Sequence, residues 1–161
     1  TDPGQYYTPD TDEFLKIGHL APKHGRYEFQ VANQLEEILY LDAARLVAWD
    51  IVGEGEVAKK PWPAVGWGDL IMAPEGNVRF DSLALEANGN ICVATLMTGG
   101  ITVAAPSGGI VEFIPMPDVM TTNICFGGPD LKTAFITLSG TGKLVAMDWP
   151  RPGLPLHFLN K

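Results

Sequence analysis

Three oxygen-bearing side chains recur at matching places along the chain. Asp81 lies ten residues before Ile91, where an apolar run begins, and Glu28 lies ten residues before the equivalent Ile38. In the third unit the longer turn at residues 127–133 shifts this position to Asn123 or Ile124. Hard cations such as Ca²⁺ take about six to eight oxygen ligands, so three protein ligands leave positions open for a carbonyl oxygen. The sequence therefore predicts a cation site formed by Glu28, Asp81 and Asn123.

Each acid also has a purely structural interpretation, and other catalytic patterns do not fit. Asp81 could cap the turn before a strand, and Glu28 could be a solvated carboxylate at a sheet edge. No serine stands in a Gly-x-Ser-x-Gly turn, no histidine pair has metal-ligand spacing, and no Gly pair leads from a strand into a helix as a phosphate loop does. The residues set aside on these grounds are Ser82, Ser107, Ser139, His19, His24 and His157.

A repeated string indicates the elements that position these side chains. The six residues 45–50 and the six residues 143–148 differ only at the basic residue and at one large apolar position, and residues 100–105 form a looser third copy. The copy at residues 100–105 and the copy at residues 143–148 are 42 residues apart, measured from Val103 to Val145. A propeller blade runs about 40 to 50 residues and needs neighbours to bury its faces. The sequence predicts an all-β fold of four-stranded antiparallel β-propeller blades, about three of them.

Alternating apolar runs predict the strands, and 18 glycines and 13 prolines suit the many turns between them. The predicted strands are residues 27–32, 38–41, 46–52, 82–85, 91–96, 101–105, 110–114, 123–126, 134–138 and 144–149.

The strand pattern divides the chain into an N-terminal segment and a β domain. Residues 1–26 are predicted to form an arm or an incomplete blade, and residues 27–161 the propeller-like domain. Residues 53–80 lengthen the spacing between the first two units and are predicted to line or cover a site. Trp62 and Trp67 in this excursion are predicted to contact substrate as an aromatic wall, with local packing as the alternative.

Composition places the chain among acidic globular proteins. It has 161 residues, 46% of them apolar, and a formal net charge of −8, which disfavours nucleic-acid partners. No apolar run is long enough to span a membrane, and the first residues lack the features of a signal peptide, although a signal already removed stays open. Cys92 and Cys125 fall at non-equivalent strand positions, so we expect buried thiols and a cytoplasmic location.

Several segments resemble the SMP-30/gluconolactonase/luciferin-regenerating-enzyme-like family. Phe80-Asp-Ser-Leu-Ala-Leu-Glu-Ala-Asn-Gly-Asn-Ile-Cys-Val-Ala94 is similar to the family segment that runs from Pro-Asp-Gly to Trp-Val-Ala. Thr121-Thr-Asn-Ile-Cys-Phe-Gly-Gly-Pro-Asp130 is similar to its Phe-Gly-Gly segment, and residues 38–50 resemble the preceding blade. The resemblance covers about residues 28–150 and only the C-terminal half of the family's length.

The resemblance implies a metal-dependent hydrolase of sugar lactones or related esters, built as a six-bladed propeller. Asp81 matches the family's metal-ligand Asp and is implied as catalytic residue and ligand. Glu28 stands where the family has an Asn ligand, and Asn123 is implied as a ligand or substrate contact. The implied cofactor is a divalent cation, Ca²⁺ first, with Zn²⁺, Mg²⁺ and Mn²⁺ as alternatives. The family's first-blade acidic ligand has no counterpart here.

Three blades are half of a six-bladed ring, so other blades must complete it, and two alternatives to a lactone hydrolase of this family stay open. Because an open array exposes strand edges, we expect either that two chains pair into a homodimer or that a missing N-terminal half completes the ring. The alternatives are a non-catalytic propeller-derived binding or scaffold module and an unrelated β-sandwich enzyme.

Overall fold

The computed structural model describes residues 44–61 and 68–156, together with the backbone of residues 28–33. These residues form strands and turns, and the part of the chain described contains no helix. The strands are β1 (Glu28–Asn33), β2 (Ala44–Trp49), β3 (Ile51–Gly53), β4 (Glu56–Val57), β5 (Asp69–Met72), β6 (Arg79–Leu85), β7 (Ile91–Leu96), β8 (Gly100–Ala104), β9 (Ile110–Pro115), β10 (Thr121–Gly127), β11 (Thr133–Leu138) and β12 (Lys143–Asp148).

Four small sheets account for all of these strands. Their strand orders are β1-β2-β5, β3-β4, β6-β7-β8-β9 and β10-β11-β12. In the last two sheets every strand pairs antiparallel with the next one in sequence, as in a propeller blade. The predicted all-β fold of small antiparallel sheets is confirmed, with one blade of four strands and one of three.

The chain divides into two compact units, and the smaller includes residues 48–61 and 68–69. Its described part contains the β3–β4 hairpin, whose turn uses Gly55 at φ 71°. The Ala58 N–H donates to the Asp50 carbonyl at 2.8 Å, and Lys60 forms an ion pair with Asp69. Both side chains of that pair are partly exposed, so its contribution to stability is small.

The larger unit includes residues 70–155 and holds the main hydrophobic core. Side chains of β7 and β8 meet those of β10 and β11 in one buried cluster, with Trp149 at its side. Ile101 and Ile136 are fully buried there, so truncation of either to Ala should cost about 2–5 kcal/mol. The cluster holds the sheets β6–β9 and β10–β12 together.

The segment after β12 returns to the C-terminal end of β6. The Ala87 N–H donates to the Pro152 carbonyl at 2.8 Å, and the Leu154 N–H donates to the Leu85 carbonyl at 2.8 Å. Gly153 lies so close to Phe126 that a Cβ on it would overlap the aromatic side chain. Any side chain at position 153 would therefore force the segment or Phe126 to move.

Most predicted strands agree with the structure to within a few residues. Residues 91–96 are predicted and observed as the same strand, and the other strands of the larger unit begin or end one to three residues away from the prediction. The excursion at residues 53–80 contains β4, β5 and the start of β6, which the sequence had not indicated. The predicted strand at residues 38–41 and the predicted arm at residues 1–26 lie outside the described residues. The domain boundary at residue 27 stays a prediction.

Candidate active site

The first strand of each sheet in the larger unit, β6 and β10, carries one extra residue near its beginning. In β6, Phe80 pairs with Thr95 and Leu83 with Val93, so Asp81 and Ser82 together face one residue of β7. A β-bulge of this kind re-aims side chains and is frequent beside active sites. The bulge sets Asp81 apart from the regular alternation of β6.

The second bulge lies in β10 and involves Thr122. Thr121 pairs with Leu138 and Asn123 with Thr137, which leaves Thr122 as the extra residue. Thr122 and Asn123 together therefore lie opposite the single residue Thr137.

The strand ends give the equivalence between the two positions. Asp81 and Asn123 each lie four residues before the last residue of their strands, and each lies ten residues before the first residue of the next strand. By this count Asn123, and not Ile124, corresponds to Asp81, while its part in a site stays a prediction. Strand β10 packs against β6, so the two positions belong to adjacent strands.

Asp81 is half-buried, and its surroundings favour the protonated acid. Burial raises the pKa of the Asp81 carboxyl above its ordinary value of 3.8, because the charged form loses water. Hydrogen bonds from the backbone N–H and the hydroxyl of Ser82 oppose this rise. A carboxylate with a raised pKa is a better proton acceptor than an exposed one.

Asn123 is exposed and lies beside a group of three hydroxyls, which we call the hydroxyl trio: Thr122, Thr137 and Ser139. The Thr122 hydroxyl is 2.9 Å from that of Thr137 and 2.6 Å from that of Ser139. Two hydrogen bonds within the trio use two of its three hydroxyl hydrogens. The Thr122 hydroxyl also lies 3.5 Å from the Thr137 carbonyl, to which it can donate. The trio therefore offers another molecule its lone pairs and, by rotation, the hydroxyl hydrogens of Thr137 and Ser139. No sequence pattern predicts this trio, although residues 121–123 form a polar run.

In the neighbouring blade the corresponding hydroxyls are buried. Thr95 of β7 occupies the place that Thr137 occupies in β11, and its hydroxyl lies 2.7 Å from that of Thr102. Both threonines are buried, with 1% and 4% of their surface exposed. Their hydroxyls serve packing, whereas the hydroxyl trio is partly open to solvent.

Asp118 ties together the loops at the end of the sheets where β6 and β10 begin. One carboxylate oxygen accepts from the Met120 N–H at 2.8 Å, and the other accepts from the N–H and the hydroxyl of Thr141 at 2.7 and 2.8 Å. The Thr121 hydroxyl donates to the Asp118 carbonyl at 2.8 Å. These hydrogen bonds, that from the Met120 N–H first, lower the pKa of Asp118 below its ordinary value. The loops around Asn123 are therefore held in one arrangement.

The remaining sequence-predicted residues are only partly placed. Glu28 is the first residue of β1, and its side chain lies outside the described residues, as do Trp62 and Trp67. Within residues 44–61 and 68–156, no three His, Cys, Asp or Glu side chains lie close enough to hold a metal ion. The described part contributes a carboxylate from Asp81 and an amide oxygen from Asn123, which are donors of the type that a hard cation takes.

Among residues 44–61 and 68–156 there is no helix long and apolar enough to cross a bilayer.

Comparison with known proteins finds a matching family and several matching solved structures. The X-ray structure of a protein provisionally described as a gluconolactonase matches with 24% sequence identity and a TM-score of 0.47, over 69% of this chain and 37% of that one. The chain thus spans little more than a third of the length of that protein. No curated protein matches. Residues 57–140, more than half of the chain, match the pattern of the SMP-30/Gluconolactonase/LRE-like region. The chain therefore belongs to the SMP-30/gluconolactonase/LRE-like family.

Proposed function

We propose that this chain forms part of a divalent-cation-dependent hydrolase that acts on sugar lactones or related esters. The observation that carries the proposal is the half-buried Asp81 in the bulge of β6, inside the segment that matches the family. A bulge interrupts a ladder at a cost in pairing, and here it presents a carboxylate with a raised pKa. That combination suits a reacting group better than a turn cap.

In this proposal Asp81 accepts the proton of the water that attacks the ester carbonyl. Its raised pKa brings the carboxylate closer to the pKa at which a general base works near neutral pH. Ser82 holds the carboxylate in place through its N–H and its hydroxyl. Asp81 then returns the proton to the leaving oxygen of the opened lactone.

The proposed cation is Ca²⁺, with Asp81, Asn123 and Glu28 as ligands. When bound, such a cation supplies Lewis-acid polarisation of the carbonyl oxygen. Asp81 and Asn123 offer oxygen donors from adjacent strands. Glu28 is included because it lies ten residues before Ile38 in the sequence, as Asp81 lies ten residues before Ile91. Further ligands would come from solvent or from the part of the ring that this chain does not supply.

Substrate contacts are proposed for the hydroxyl trio and for two tryptophans. The hydroxyl trio lies on the strands around it and can donate to and accept from the hydroxyls of a sugar lactone. Trp62 and Trp67 are proposed as the aromatic wall over the site, as the excursion in sequence suggests.

Completion of the ring is proposed to involve the side of the sheet β10–β12 on which Leu144, Ala146 and Asp148 are exposed, which we call its outer face. Either a second copy or the rest of a longer chain would cover it. The Trp149 N–H donates to the Lys132 carbonyl at 2.7 Å, which fixes the odd-numbered residues of β12 as those bonded to β11. The backbone N–H and C=O groups of Leu144, Ala146 and Asp148 consequently point away from β11. Their side chains are exposed as well.

Asp81→Asn provides the test. Lactone hydrolysis, followed with a pH indicator in the presence of Ca²⁺, should fall at least a hundredfold, while the exposed control Asp130→Asn should keep wild-type activity. Without metal, Asp81→Asn should melt no lower than the wild type, because the substitution removes a desolvated charge. With Ca²⁺, only proteins with Asp81 should gain melting temperature. Activity unchanged in Asp81→Asn would refute the mechanism.

The alternative is the non-catalytic binding or scaffold module. A protein that hydrolyses no lactone, and whose melting temperature responds neither to Ca²⁺ nor to Asp81→Asn, would establish that alternative.

A further inference from the structure

Three exposed apolar side chains lie on the loops next to the candidate active site. Met97, Val119 and Met120 have 46%, 58% and 38% of their surface exposed, and we call them the apolar ledge. Met97 follows the end of β7, which pairs with the start of β6, and Val119 and Met120 directly precede β10. The apolar ledge is thus at the end of the sheets where Asp81 and Asn123 lie.

Hydrogen bonds hold the backbone of the apolar ledge in place. The Met97 N–H donates to the Val119 carbonyl, and the Ser139 N–H donates to the Met120 carbonyl, both at 2.9 Å. The buried carboxylate of Asp118 accepts from the Met120 N–H. Exposure of these three side chains is therefore a property of a fixed platform and not of a loose loop.

Met97 adopts a backbone conformation that is costly for its residue type. Its φ is 71°, in the left-handed region that glycine and asparagine visit more easily than methionine. The next glycine, Gly99, is also left-handed, and a Cβ there would lie 2.7 Å from the Asp118 carbonyl oxygen. Backbone strain of this kind persists where the surrounding structure imposes it and is concentrated at ligand sites. Here it keeps a flexible thioether side chain at the surface.

The size and the neighbours of the apolar ledge favour a small ligand over a protein partner. Three partly exposed side chains present at most a few hundred Å², well below the roughly 800 Å² per partner of a specific protein–protein interface. Ser139 of the hydroxyl trio lies directly beside Met120 through its backbone hydrogen bond. A polar group and an apolar group are therefore presented side by side, next to the strand starts that carry Asp81 and Asn123.

We propose that the apolar ledge binds the apolar substituent of the substrate, so that the preferred substrates are lactones or esters that carry a linear alkyl chain. This inference rests on the proposed function for the location of the reacting carbonyl. In the bound state the carbonyl lies toward Asp81 and Asn123, and the alkyl chain lies along Met97, Val119 and Met120. Methionine suits this role because its side chain adapts to ligands of different shape.

Binding can be tested without catalysis by means of unreactive lactams with ethyl, butyl or hexyl chains in the presence of Ca²⁺. The chain has five methionines, so methyl-labelled Met gives five NMR signals, of which Met72, Met116 and Met147 serve as internal controls. The signals of Met97 and Met120 should shift, and affinity should rise about two- to fourfold per added methylene. Signals that shift only at the three controls, or affinities independent of chain length, would overturn the proposal.

A matched pair of variants isolates the apolar ledge. The double variant Val119→Thr, Met120→Gln keeps side-chain size and removes the apolar surface, and we expect it to lose the chain-length dependence read from the Met97 signal. Val111→Thr, at a valine of β9 that is 52% exposed, should retain it. Concentration-dependent shifts of Met97 and Met120 without any lactam would show that a second copy covers the ledge and would also overturn the proposal.

Hydrolysis of the corresponding lactones separates the two proposals. Chain-length-dependent lactam binding without any hydrolysis would refute the proposed function and leave the apolar ledge as a ligand site. Hydrolysis with no preference for alkyl chains would support the proposed function and refute the proposal that the apolar ledge binds an alkyl chain.

Discussion

At the scale of single residues, a buried acid other than the candidate catalytic one stabilises the fold. Glu86 is fully buried and accepts hydrogen bonds from Trp149 Nε1 at 2.7 Å, Arg151 Nε at 2.6 Å and Asn90 Nδ2 at 2.9 Å. Burial alone would raise the pKa of Glu86, but these hydrogen bonds and the charge of Arg151 outweigh it and hold the pKa below the ordinary value of 4.5. Glu86 also raises the pKa of the neighbouring Cys92 thiol, which burial raises most of all. Cys92 is consequently an inert packing residue.

The lowered pKa predicts how stability depends on pH. Because the unfolded chain takes up a proton at Glu86 more readily than the folded chain, the stability that this group contributes is complete well above pH 4.5 and is lost as pH falls through the folded pKa. Glu86→Gln should lower the unfolding free energy at neutral pH by about 2 kcal/mol, which is about 4–8 °C in melting temperature. It should also flatten the acid dependence. Circular dichroism melts from neutral pH into this acid range measure both effects.

Glu112→Gln is the control for this prediction. Glu112 accepts from the same Arg151 at 2.9 Å but is 41% exposed, so its loss should cost less than about 1 kcal/mol. Equal losses in the two variants would contradict the argument from burial.

At the scale of elements, the contact between the C-terminal segment and β10 depends on one glycine. The Gly153 N–H donates to the Leu131 carbonyl at 2.9 Å, and Phe126 meets Trp149 edge to face with ring centroids 5.6 Å apart. Because a Cβ on Gly153 would overlap Phe126, either the ring or the segment must move in Gly153→Ala. We expect a loss of about 1–3 kcal/mol, measured as the shift of the urea midpoint.

Gly53→Ala is the matched substitution. A Cβ at Gly53 would meet only the flexible end of Glu56, at 3.0 Å, so its effect should stay within about 0.5 kcal/mol. A loss in Gly153→Ala no larger than that would show that the segment adapts freely, and the close approach to Phe126 would then be of no energetic consequence.

Strand positions could be predicted from sequence, whereas the bulges and the loop contacts could not. The apolar run at residues 91–96 is long enough to reveal its type, but β4 has two residues, too few for a period. The strand predicted at residues 46–52 is divided between β2 and β3, because Asp50 lies outside both. The extra residue in β10 is defined only by the register with β11, which the sequence of β10 does not contain. Asp118 follows Pro117 in an unpatterned linker, and its partner Thr141 lies 23 residues later. No local pattern connects such residues.

At the scale of the whole molecule, sequence repetition identified Asp81 and Asn123 as corresponding positions of two strands that pack together, because equivalent positions of stacked units converge. Their part in a cation site stays a prediction. The part played by Glu28 stays a prediction, since it depends on a side chain outside the described residues. The sheet β10–β12 has three strands where its neighbour has four, and its last strand presents Leu144 with 67% of its surface exposed. Natural sheets seldom leave such an edge uncovered.

The chain alone is therefore expected to self-associate through this sheet. Leu144→Lys adds a charge on the exposed side of the edge strand β12. The variant should be a monomer in light scattering coupled to size exclusion, because the partner face cannot solvate the ammonium group. Leu156→Lys is the control, since Leu156 is also 67% exposed but lies outside the sheet. That variant should keep the wild-type mass. A wild-type chain that is already monomeric at every concentration would mean that the rest of a longer chain, and not a second copy, covers the outer face of β10–β12.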